Sequence, residues 1–471
     1  MTLLLSDVFS PGGLLAREIP GYRLRPQQLE MAERIAAAIA DNSVLVAEAG
    51  TGTGKTYAYL VPALLSGGKV IVSTGTKNLQ DQLFSKDIPT VRKVLGAPVQ
   101  VALLKGRANY LCHYHLERAL DDGRFVARED AAHAARIARF AKSTKTGDKA
   151  DCGDVPENST VWGMVTSTRE NCLGQDCPYN KECFVLAARR EALAADLVVV
   201  NHHLFFADVM LRDEGTAELL PACNTVIFDE AHQLPETASL FFGDNVSTAQ
   251  VIDLARDVRT EGITSAKDCL DLPKLCGVVE KAAKDLRLTL PVEPARFSLA
   301  QLEERGGFDN SLVGLIRELD VLTALLETQA QRSEGLENCW RRAGELVAQL
   351  RRWQKGADAN YVRWGETYTL SLQLNATPLV IASIMKKQMS GHPRAWIFTS
   401  ATLAVQRDFG HYCGEMGLEG AESAFWDSPF DYETQALLYA PTGLPDPNNY
   451  AYTEAVVKAA FPVVKASGGR A

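Results

Sequence analysis

The fold of this chain can be argued from one stretch, Ser43-Val44-Leu45-Val46-Ala47-Glu48-Ala49-Gly50-Thr51-Gly52-Thr53-Gly54-Lys55-Thr56. The apolar run 44–46 predicts a buried strand, and the residues after Thr56 have a helical pattern. Glycines between the two allow backbone N–H groups to turn inward and approach phosphates closely. A strand, a glycine-rich loop and a helix in this order predict a phosphate-binding loop, and therefore a nucleotide site.

The end of this loop carries the residues with the clearest chemistry. Lys55 is expected to place its charge on the β- and γ-phosphates, and Thr56 to hold Mg²⁺ through its hydroxyl. The pattern G-x-x-x-x-G-K-[ST] has one departure, because Ala49 stands where its first glycine is expected. The predicted nucleotide-binding residues of the loop are Ala49, Gly50, Thr51, Gly52, Thr53, Gly54, Lys55 and Thr56.

Length and composition limit the class of protein. At 471 residues the chain exceeds one hydrophobic core, so two to four domains are expected. An apolar fraction of 46% is ordinary for a soluble globular protein, and a net charge of −9 argues against a protein that is basic throughout. The sequence has no apolar run long enough to span a membrane, and its ten cysteines favour metal binding over disulfides. These features predict a cytoplasmic protein with no membrane contact.

Two further polar segments flank the predicted sheet strands. Arg25 and Gln28, upstream of the loop, can read the adenine edge, although a solvated helix start explains them equally well. Thr76 and Lys77 follow the apolar run 70–73, where they suit a backbone phosphate of another ligand or an ordinary capped helix.

A second acidic motif completes the predicted hydrolytic site. The strand Thr225–Phe228 ends in Asp229-Glu230, and adjacent carboxylates at the end of an apolar strand are costly unless they face a cation. We expect Asp229 to bind Mg²⁺, directly or through water, and Glu230 to polarise the attacking water. The predicted catalytic residues are therefore Lys55, Asp229 and Glu230.

The βα rhythm is interrupted twice. Residues 106–190, here called the cysteine module, contain a candidate metal clamp of four thiols, Cys112, Cys172, Cys177 and Cys183. Spacing alone leaves zinc and an iron–sulfur cluster open, and Cys152, His113 and His115 are spare ligands. Residues 236–388, here called the helical insertion, have a mostly helical pattern in which Trp340, Trp353 and Trp364 either stack bases or, as we favour, pack in a core.

Taken together, these motifs resemble the XPD/DinG family of iron–sulfur DNA helicases of superfamily two. The resemblance rests on Arg25–Gln28, the phosphate loop, the cysteines, Asp229-Glu230-Ala231-His232 and Thr399-Ser400-Ala401-Thr402. It implies an α/β, RecA-like motor domain with a parallel sheet. It also implies 5′-to-3′ translocation on single-stranded or forked DNA during repair or replication, with proteins of those processes as partners. It further implies a 4Fe-4S cluster on Cys112, Cys172, Cys177 and Cys183, and a DNA track that includes Thr76 and Lys77.

The resemblance also implies a division of the chain. The motor domain occupies 1–105, 191–235 and 389–425, the iron–sulfur domain is inserted at 106–190, and an Arch domain at 236–388. Residues 426–471 then begin a second motor domain with a strand-like segment at 436–440. The family's Q-x-x-G-R-x-x-R motif is not found in the sequence, so we expect a truncated second motor domain. In the family, the arginines of that motif complete the ATP site, and an arginine finger raises the rate of hydrolysis about 10³- to 10⁵-fold. The alternative is therefore a non-motor fragment that binds ATP and DNA with little turnover.

Overall fold

The computed structural model describes residues 3–468 apart from 124, 126, 170, 214–218, 357–360, 379–380, 392 and 448. The last residues of the predicted final segment, 469–471, lie outside this range. The chain divides into two compact units, Met1–Asp427 and Ser428–Ala471. All residues of the predicted nucleotide and cysteine sites belong to the first unit.

A seven-stranded parallel sheet forms the centre of the first unit, in the order β11-β1-β10-β5-β2-β4-β3. Its strands are β1 (Val44–Ala49), β2 (Val70–Thr74), β3 (Val101–Leu103), β4 (Leu197–Asn201), β5 (Thr225–Asp229), β10 (Ala395–Ser400) and β11 (Glu422–Trp426). Short runs of valine, isoleucine and phenylalanine form these strands because both faces of a parallel sheet are buried. The mixed α/β class with a parallel sheet, which the family resemblance implied, is confirmed.

Helices cover both faces of this sheet. Alternate residues of β1 face opposite cores, with Leu45 in one and Val46 in the other. On the Leu45 side lie Leu5–Phe9, Leu14–Glu18, Pro26–Ala40, Lys55–Leu65 and Ile88–Leu95. On the Val46 side lie His202–Asp213, Leu234–Phe242, Ala382–Met389 and Gly410–Met416. The result is a three-layer arrangement of helices, sheet and helices.

The cysteine module has a small core of its own, built around Trp162 and Ile137. Its helices are His113–Asp122, Arg128–Ala141, Trp162–Val165 and Phe184–Ala194. At its junction with the sheet, the buried ammonium of Lys105 pairs with Asp81 and Asp148, each at 2.8 Å. Asp81 belongs to the helix Lys77–Gln82, so this ion triad ties the module to the helix that follows β2.

The helical insertion packs long helices around a large apolar core. Its helices are Thr248–Ser265, Asp271–Leu288, Leu299–Glu303, Phe308–Gln329 and Glu334–Lys355. It also contains a four-stranded antiparallel sheet in the order β6-β9-β8-β7, which the sequence pattern did not reveal. Its strands are β6 (Asp244–Ser247), β7 (Ala295–Ser298), β8 (Tyr361–Thr367) and β9 (Leu372–Pro378). Trp353 is buried here and donates its Nε1–H to Asn375 O at 2.9 Å, so this tryptophan packs in the core.

The second unit, Ser428–Ala471, contains the short helix Tyr432–Gln435 and the helix Tyr452–Ala466. No side chain of the longer helix is buried. Residues 436–440 are irregular, so the strand expected there is wrong. An apolar run forms a strand only where a neighbouring strand offers hydrogen bonds, and the described part of this unit contains no other strand.

Candidate nucleotide site and cysteine cluster

The predicted site residues lie at the carboxyl ends of four neighbouring strands. β1, β10, β5 and β2 are adjacent in the sheet, and each ends in a predicted motif. The phosphate loop follows β1, residues 399–402 include the end of β10, Asp229 ends β5 and is followed by Glu230, and the loop 75–77 follows β2. Ligands of open α/β sheets bind at this edge. The topology therefore brings together the motifs that the sequence holds far apart.

The phosphate loop has the backbone that its glycines predict. Gly52 and Gly54 have φ values of 84° and 83°, in the left-handed region that favours glycine. Lys55 begins the helix Lys55–Leu65, and its Nζ donates to Ala49 O at 2.9 Å across the loop. Ala49 is the last residue of β1, so its backbone is extended. Alanine adopts an extended backbone as readily as glycine does, which explains the departure from the pattern at this position.

Gln28 holds the loop from the preceding helix. Its Nε2 donates to Gly54 O at 2.9 Å, and the hydroxyl of Tyr22 lies 3.1 Å from its Oε1. A Cβ on Gly54 would lie 2.2 Å from that Nε2, so this close approach requires glycine. Arg25 is the N-cap of the helix Pro26–Ala40, and its charge lowers the pKa of Tyr22 against the larger raising effect of burial. The structure thus places Gln28 against the loop and Arg25 near Tyr22, which bonds to Gln28.

Asp229 lies buried opposite Lys55. The pKa of its carboxyl is raised to about 7, first by burial and then by the neighbouring charge of Glu230, against the lowering effect of Lys55. The hydroxyl of Tyr59 donates to Asp229 Oδ2 at 3.3 Å. Thr56 also bonds to Tyr59. A buried carboxyl with a raised pKa is the group that a divalent cation would stabilise in its ionised form.

Glu230 is held in an unusual backbone conformation. Its φ is 56°, a left-handed value that costs a non-glycine residue of order 1–3 kcal/mol. The Nδ1 atom of His232 lies 3.3 Å from Glu230 Oε2 and 2.8 Å from Ser400 Oγ. His232 therefore links the acidic turn after β5 to the hydroxyl residues at the end of β10.

Sequence reasoning missed two residues of this site, Tyr59 and Glu48. Glu48 lies on β1, and its buried Oε2 accepts from the N–H groups of Leu403 and of Ala404, the latter at 2.6 Å. It thereby fixes the loop that follows Ser400. A signal was present in the sequence, because an acidic residue within a buried apolar strand needs donors that satisfy it.

The loop after β2 packs against the acidic turn. Thr76 is the N-cap of the next helix, and its Oγ1 accepts from Leu79 N at 3.3 Å. A Cβ on Gly75 would lie 2.2 Å from Oε1 of Gln233, so the side chain of Gln233 covers this glycine. Lys149 of the cysteine module lies close to Lys77. Burial lowers the pKa of Lys149, and the charge of Lys77 lowers it further. Two ammonium groups close together favour the binding of an anion between them.

The four predicted cluster thiols lie within electrostatic reach of one another. The pKa of Cys112 is raised to about 12, mainly by burial and also by the charges of Cys177, Cys172 and Cys183. Cys112 and Cys183 are the N-caps of the helices His113–Asp122 and Phe184–Ala194. The positive ends of helix dipoles stabilise thiolates at such positions.

Backbone N–H groups also point to these sulfurs. Gly174 N lies 3.5 Å from Cys172 Sγ, and the backbone of His115 lowers the pKa of Cys112 against burial. Within the described residues, however, no three His, Cys, Asp or Glu side chains are placed so that they could hold a metal ion. The pKa of Cys152 is raised by burial and then by Asp154, without a contribution from the other cysteines.

A cavity of about 460 Å³ lies away from the nucleotide site, between the cysteine module and the helical insertion. Tyr114 and Arg118 of the module line it and bind Glu261 of the insertion, Arg118 at 3.3 Å. Of the helices that the structure describes, none is both long and apolar enough to cross a membrane.

The comparisons with known proteins agree with this geometry. The DEAD/DEAH box helicase family matches residues 25–110. The chain is 40% identical to ATP-dependent DNA helicase YoaA of Haemophilus influenzae, over 99% of this chain and 73% of that protein. It is 41% identical to YoaA of Escherichia coli with the same coverage. It is 34% identical to ATP-dependent helicase DinG of Mycobacterium tuberculosis (strain H37Rv) over 50% of this chain and 38% of that protein.

Proposed function

The chain belongs to the XPD/DinG family of ATP-dependent DNA helicases, and we propose that it translocates 5′ to 3′ on single-stranded DNA during repair or replication. The observation that carries the proposal is the convergence of Lys55, Asp229 and the loop after β2 at one sheet edge. A nucleotide and a second anionic ligand can therefore bind to neighbouring loops at this edge. We infer a cytoplasmic protein that joins the nucleoid when bound to DNA, with repair or replication proteins as partners.

Within the nucleotide site we assign a role to each side chain. Lys55 neutralises the β- and γ-phosphates, and the left-handed Gly52 and Gly54 turn backbone N–H groups towards them. Thr56 and Asp229 would hold Mg²⁺, which would supply positive charge beside the phosphates. Glu230 orients the attacking water and accepts its proton, with His232 fixing the carboxylate from the other side. Arg25 and Gln28 border the place of the adenine.

Hydrolysis must then be communicated to DNA. His232, next to the acidic turn, contacts Ser400 on one side, and Gln233 covers Gly75 on the other. A change at the acidic turn can therefore reach both neighbouring loops without a large rearrangement. Lys77 and Lys149 supply positive charge where a DNA phosphate would lie next to Gly75.

We propose further that Cys112, Cys172, Cys177 and Cys183 hold a 4Fe-4S cluster. Four thiols lie close together, and two of them are at helix N-termini. Their thiolate forms repel one another unless a cationic centre binds between them, as an iron–sulfur cluster does. A four-iron cluster is wider than one ion, so its ligands need not meet at a single point. Bound there, the cluster would supply a cross-link between residue 112 and the segment 172–183. The helical insertion, which contacts this module through Glu261, would then be the Arch domain.

The functional assignment is tested by ATP hydrolysis of the full chain with and without single-stranded DNA, beside Lys55→Ala and the surface control Lys93→Ala. Removing a charged hydrogen-bonding group costs about 1.5–3 kcal/mol, so Lys55→Ala should lower nucleotide affinity roughly 10- to 100-fold. Lys93 lies at the surface and should behave as wild type. Full activity in Lys55→Ala would exclude this site. Binding of ATP and DNA without turnover would favour the alternative, a non-motor ATP- and DNA-binding protein.

The cluster has its own test. Cys172→Ser should lose bound iron and the visible absorption of the anaerobically purified protein, whereas Cys152→Ser should retain both. Cys152 is the matched control because it is a buried cysteine of the same module that does not interact with the four. A colourless wild-type protein with bound zinc would contradict the cluster and favour a zinc-stabilised ATPase instead. Unchanged iron in Cys172→Ser would remove that residue from the ligand set.

A further inference from the structure

A buried histidine lies between the acidic turn and the strand that precedes the loop 75–77. His202 is the first residue of the helix His202–Asp213, directly after β4, and only 2% of it is exposed. Its Nδ1 atom is 2.7 Å from Oγ of Ser73, which is fully buried on β2. Its ring also lies beside Phe228, the residue before Asp229, with 6.0 Å between the ring centroids.

The other ring nitrogen of His202 lacks a hydrogen-bond partner among the described residues. Nε2 of His202 is buried and has no hydrogen-bond partner among the residues that the structure describes. Burial lowers the pKa of His202 to about 3, so the ring is neutral, and the backbone carbonyls of Glu230 and Asp229 act in the opposite direction. Carbonyls that favour the protonated ring are acceptors close to one of its nitrogens. Since Nδ1 is bound to Ser73, the nitrogen that faces them is Nε2.

These contacts fix the tautomer. If the Ser73 hydroxyl donates to Nδ1, the single proton of the neutral ring is on Nε2. An N–H group that is buried near two carbonyls without a well-formed hydrogen bond is costly. A small movement of the acidic turn towards the ring would complete that bond. Because Glu230 has a left-handed φ of 56°, the turn has a strained conformation from which such a movement can start.

Both neighbours of His202 lead to proposed ligand sites. On one side, Asp229 and Glu230 are the residues assigned to Mg²⁺ and water. On the other, Ser73 is followed by Thr74 at the end of β2 and then by the loop 75–77. Ser73 is also paired with Phe228 in the sheet, so the two strand ends move as neighbours. The imidazole is thus a bridge of side-chain contacts between the two loops.

We propose that His202 is a positioning residue that couples the Asp229–Glu230 turn to the loop Gly75–Lys77. The proposal deepens the proposed function, on which it rests, by naming a residue that links nucleotide binding to DNA binding. When Mg²⁺-nucleotide draws Asp229 into place, the adjoining carbonyl accepts from Nε2–H. Because Ser73 of β2 holds the ring through Nδ1, the new hydrogen bond at Nε2 also favours one position of the end of β2. By linkage, DNA bound at that loop favours the same state of the turn.

The test measures this coupling without requiring turnover. Single-stranded oligothymidylate is titrated into the full chain, with anisotropy as readout, in the absence and presence of Mg²⁺ and a non-hydrolysable ATP analogue. We expect the analogue to change the DNA Kd of the wild type by about fivefold or more, as is usual for coupled sites. His202→Ala and His202→Asn should reduce this change to less than about twofold. His203→Ala is the matched control, because His203 is the adjacent histidine with an exposed side chain, and it should keep the wild-type coupling.

His202→Asn separates positioning from folding. Its amide can still bind Ser73 but is too short to reach the carbonyls of the acidic turn, so it should fold with wild-type thermal stability and lose the coupling. Coupling that persists in a folded His202→Asn overturns the inference, as does a wild type that binds both ligands without coupling. A wild type that binds neither nucleotide nor DNA contradicts the proposed function itself, so the two failures are distinguishable.

Discussion

At the scale of single residues, the site depends on groups that would be unstable without their neighbours. Asp229 has a raised pKa because it is buried beside Glu230, and Glu230 occupies a left-handed backbone conformation. The buried Glu48 accepts from the N–H groups of residues 403 and 404. Such strained or desolvated groups cluster at functional sites because ligands and neighbouring loops compensate them. They identify the nucleotide site more sharply than the loop motif alone.

The pKa of Asp229 predicts a pH dependence of Mg²⁺-nucleotide binding. With a pKa of about 7 in the free protein, most of this carboxyl is protonated at pH 6 and ionised at pH 8. Binding a cation requires the ionised form, so affinity should rise by about tenfold between pH 6 and pH 8, one proton being released. Isothermal titration calorimetry in buffers of different ionisation enthalpy measures both quantities.

Asp229→Asn serves as the control for this pH dependence, because the nucleotide's own phosphate titration is common to both proteins. The variant should bind Mg²⁺-nucleotide more weakly than the wild type. The pH dependence of its affinity should be the part that arises from titration of the nucleotide phosphate. An equal slope in wild type and variant would show that Asp229 does not exchange a proton on binding.

At the scale of elements, the junctions between the sheet and its insertions are polar. Lys105, at the end of the segment that follows β3, is buried between Asp81 and Asp148. Its pKa is raised: burial lowers it, but the bonds and charges of Asp148 and Asp81 outweigh that effect. The triad therefore joins the helix Lys77–Gln82 to the cysteine module through two ion pairs.

Replacing Lys105 with methionine should therefore destabilise the protein. The change leaves two carboxylates facing each other at a partly buried place, and breaking a buried ion pair costs about 3–5 kcal/mol. Asp81 and Asp148 retain some access to water, so we expect the lower end, about 3 kcal/mol, in urea unfolding. The control Lys93→Met removes an exposed ion pair with Glu18 and should cost less than about 1 kcal/mol. Equal losses in the two variants would contradict a structural role for the triad.

At the scale of the whole molecule, sequence periodicity predicted the parallel sheet, because short β-branched runs such as 70–73 are distinctive. The same reasoning missed the antiparallel sheet β6–β9, whose strands contain many polar residues and two of which, β6 and β7, pair with strands distant in the sequence. It predicted Lys55 and Asp229 from local motifs. It missed Tyr59, Glu48 and His202, because each acts through a contact with a residue far away in the chain. The local sequence can indicate that a buried acid such as Glu48 needs donors, but it does not reveal the distant partner of any of the three residues.

The order of strands leads to a last prediction about the extent of the nucleotide-binding unit. β11 is the edge strand beside β1, where Ala49 is paired with Trp426, and Gly50 N donates to Trp426 O at 3.0 Å. The phosphate loop therefore depends on a strand that the sequence places far from it, after both insertions. A chain ending at Asp427 keeps this strand, whereas a chain ending at Ala421 loses it and leaves β1 as an open edge.

We expect the 1–427 chain to bind a fluorescent ATP analogue with the affinity of the full chain, because the described residues assigned to the nucleotide all belong to that unit. The 1–421 chain should bind at least about tenfold more weakly, since loss of one backbone hydrogen bond and of the edge strand frees the start of the phosphate loop. Circular dichroism compares the folding of the two truncated chains. Equal affinity in both would mean that the loop is shaped by Gln28 and the helix Lys55–Leu65 alone, and that β11 only covers the edge of the sheet.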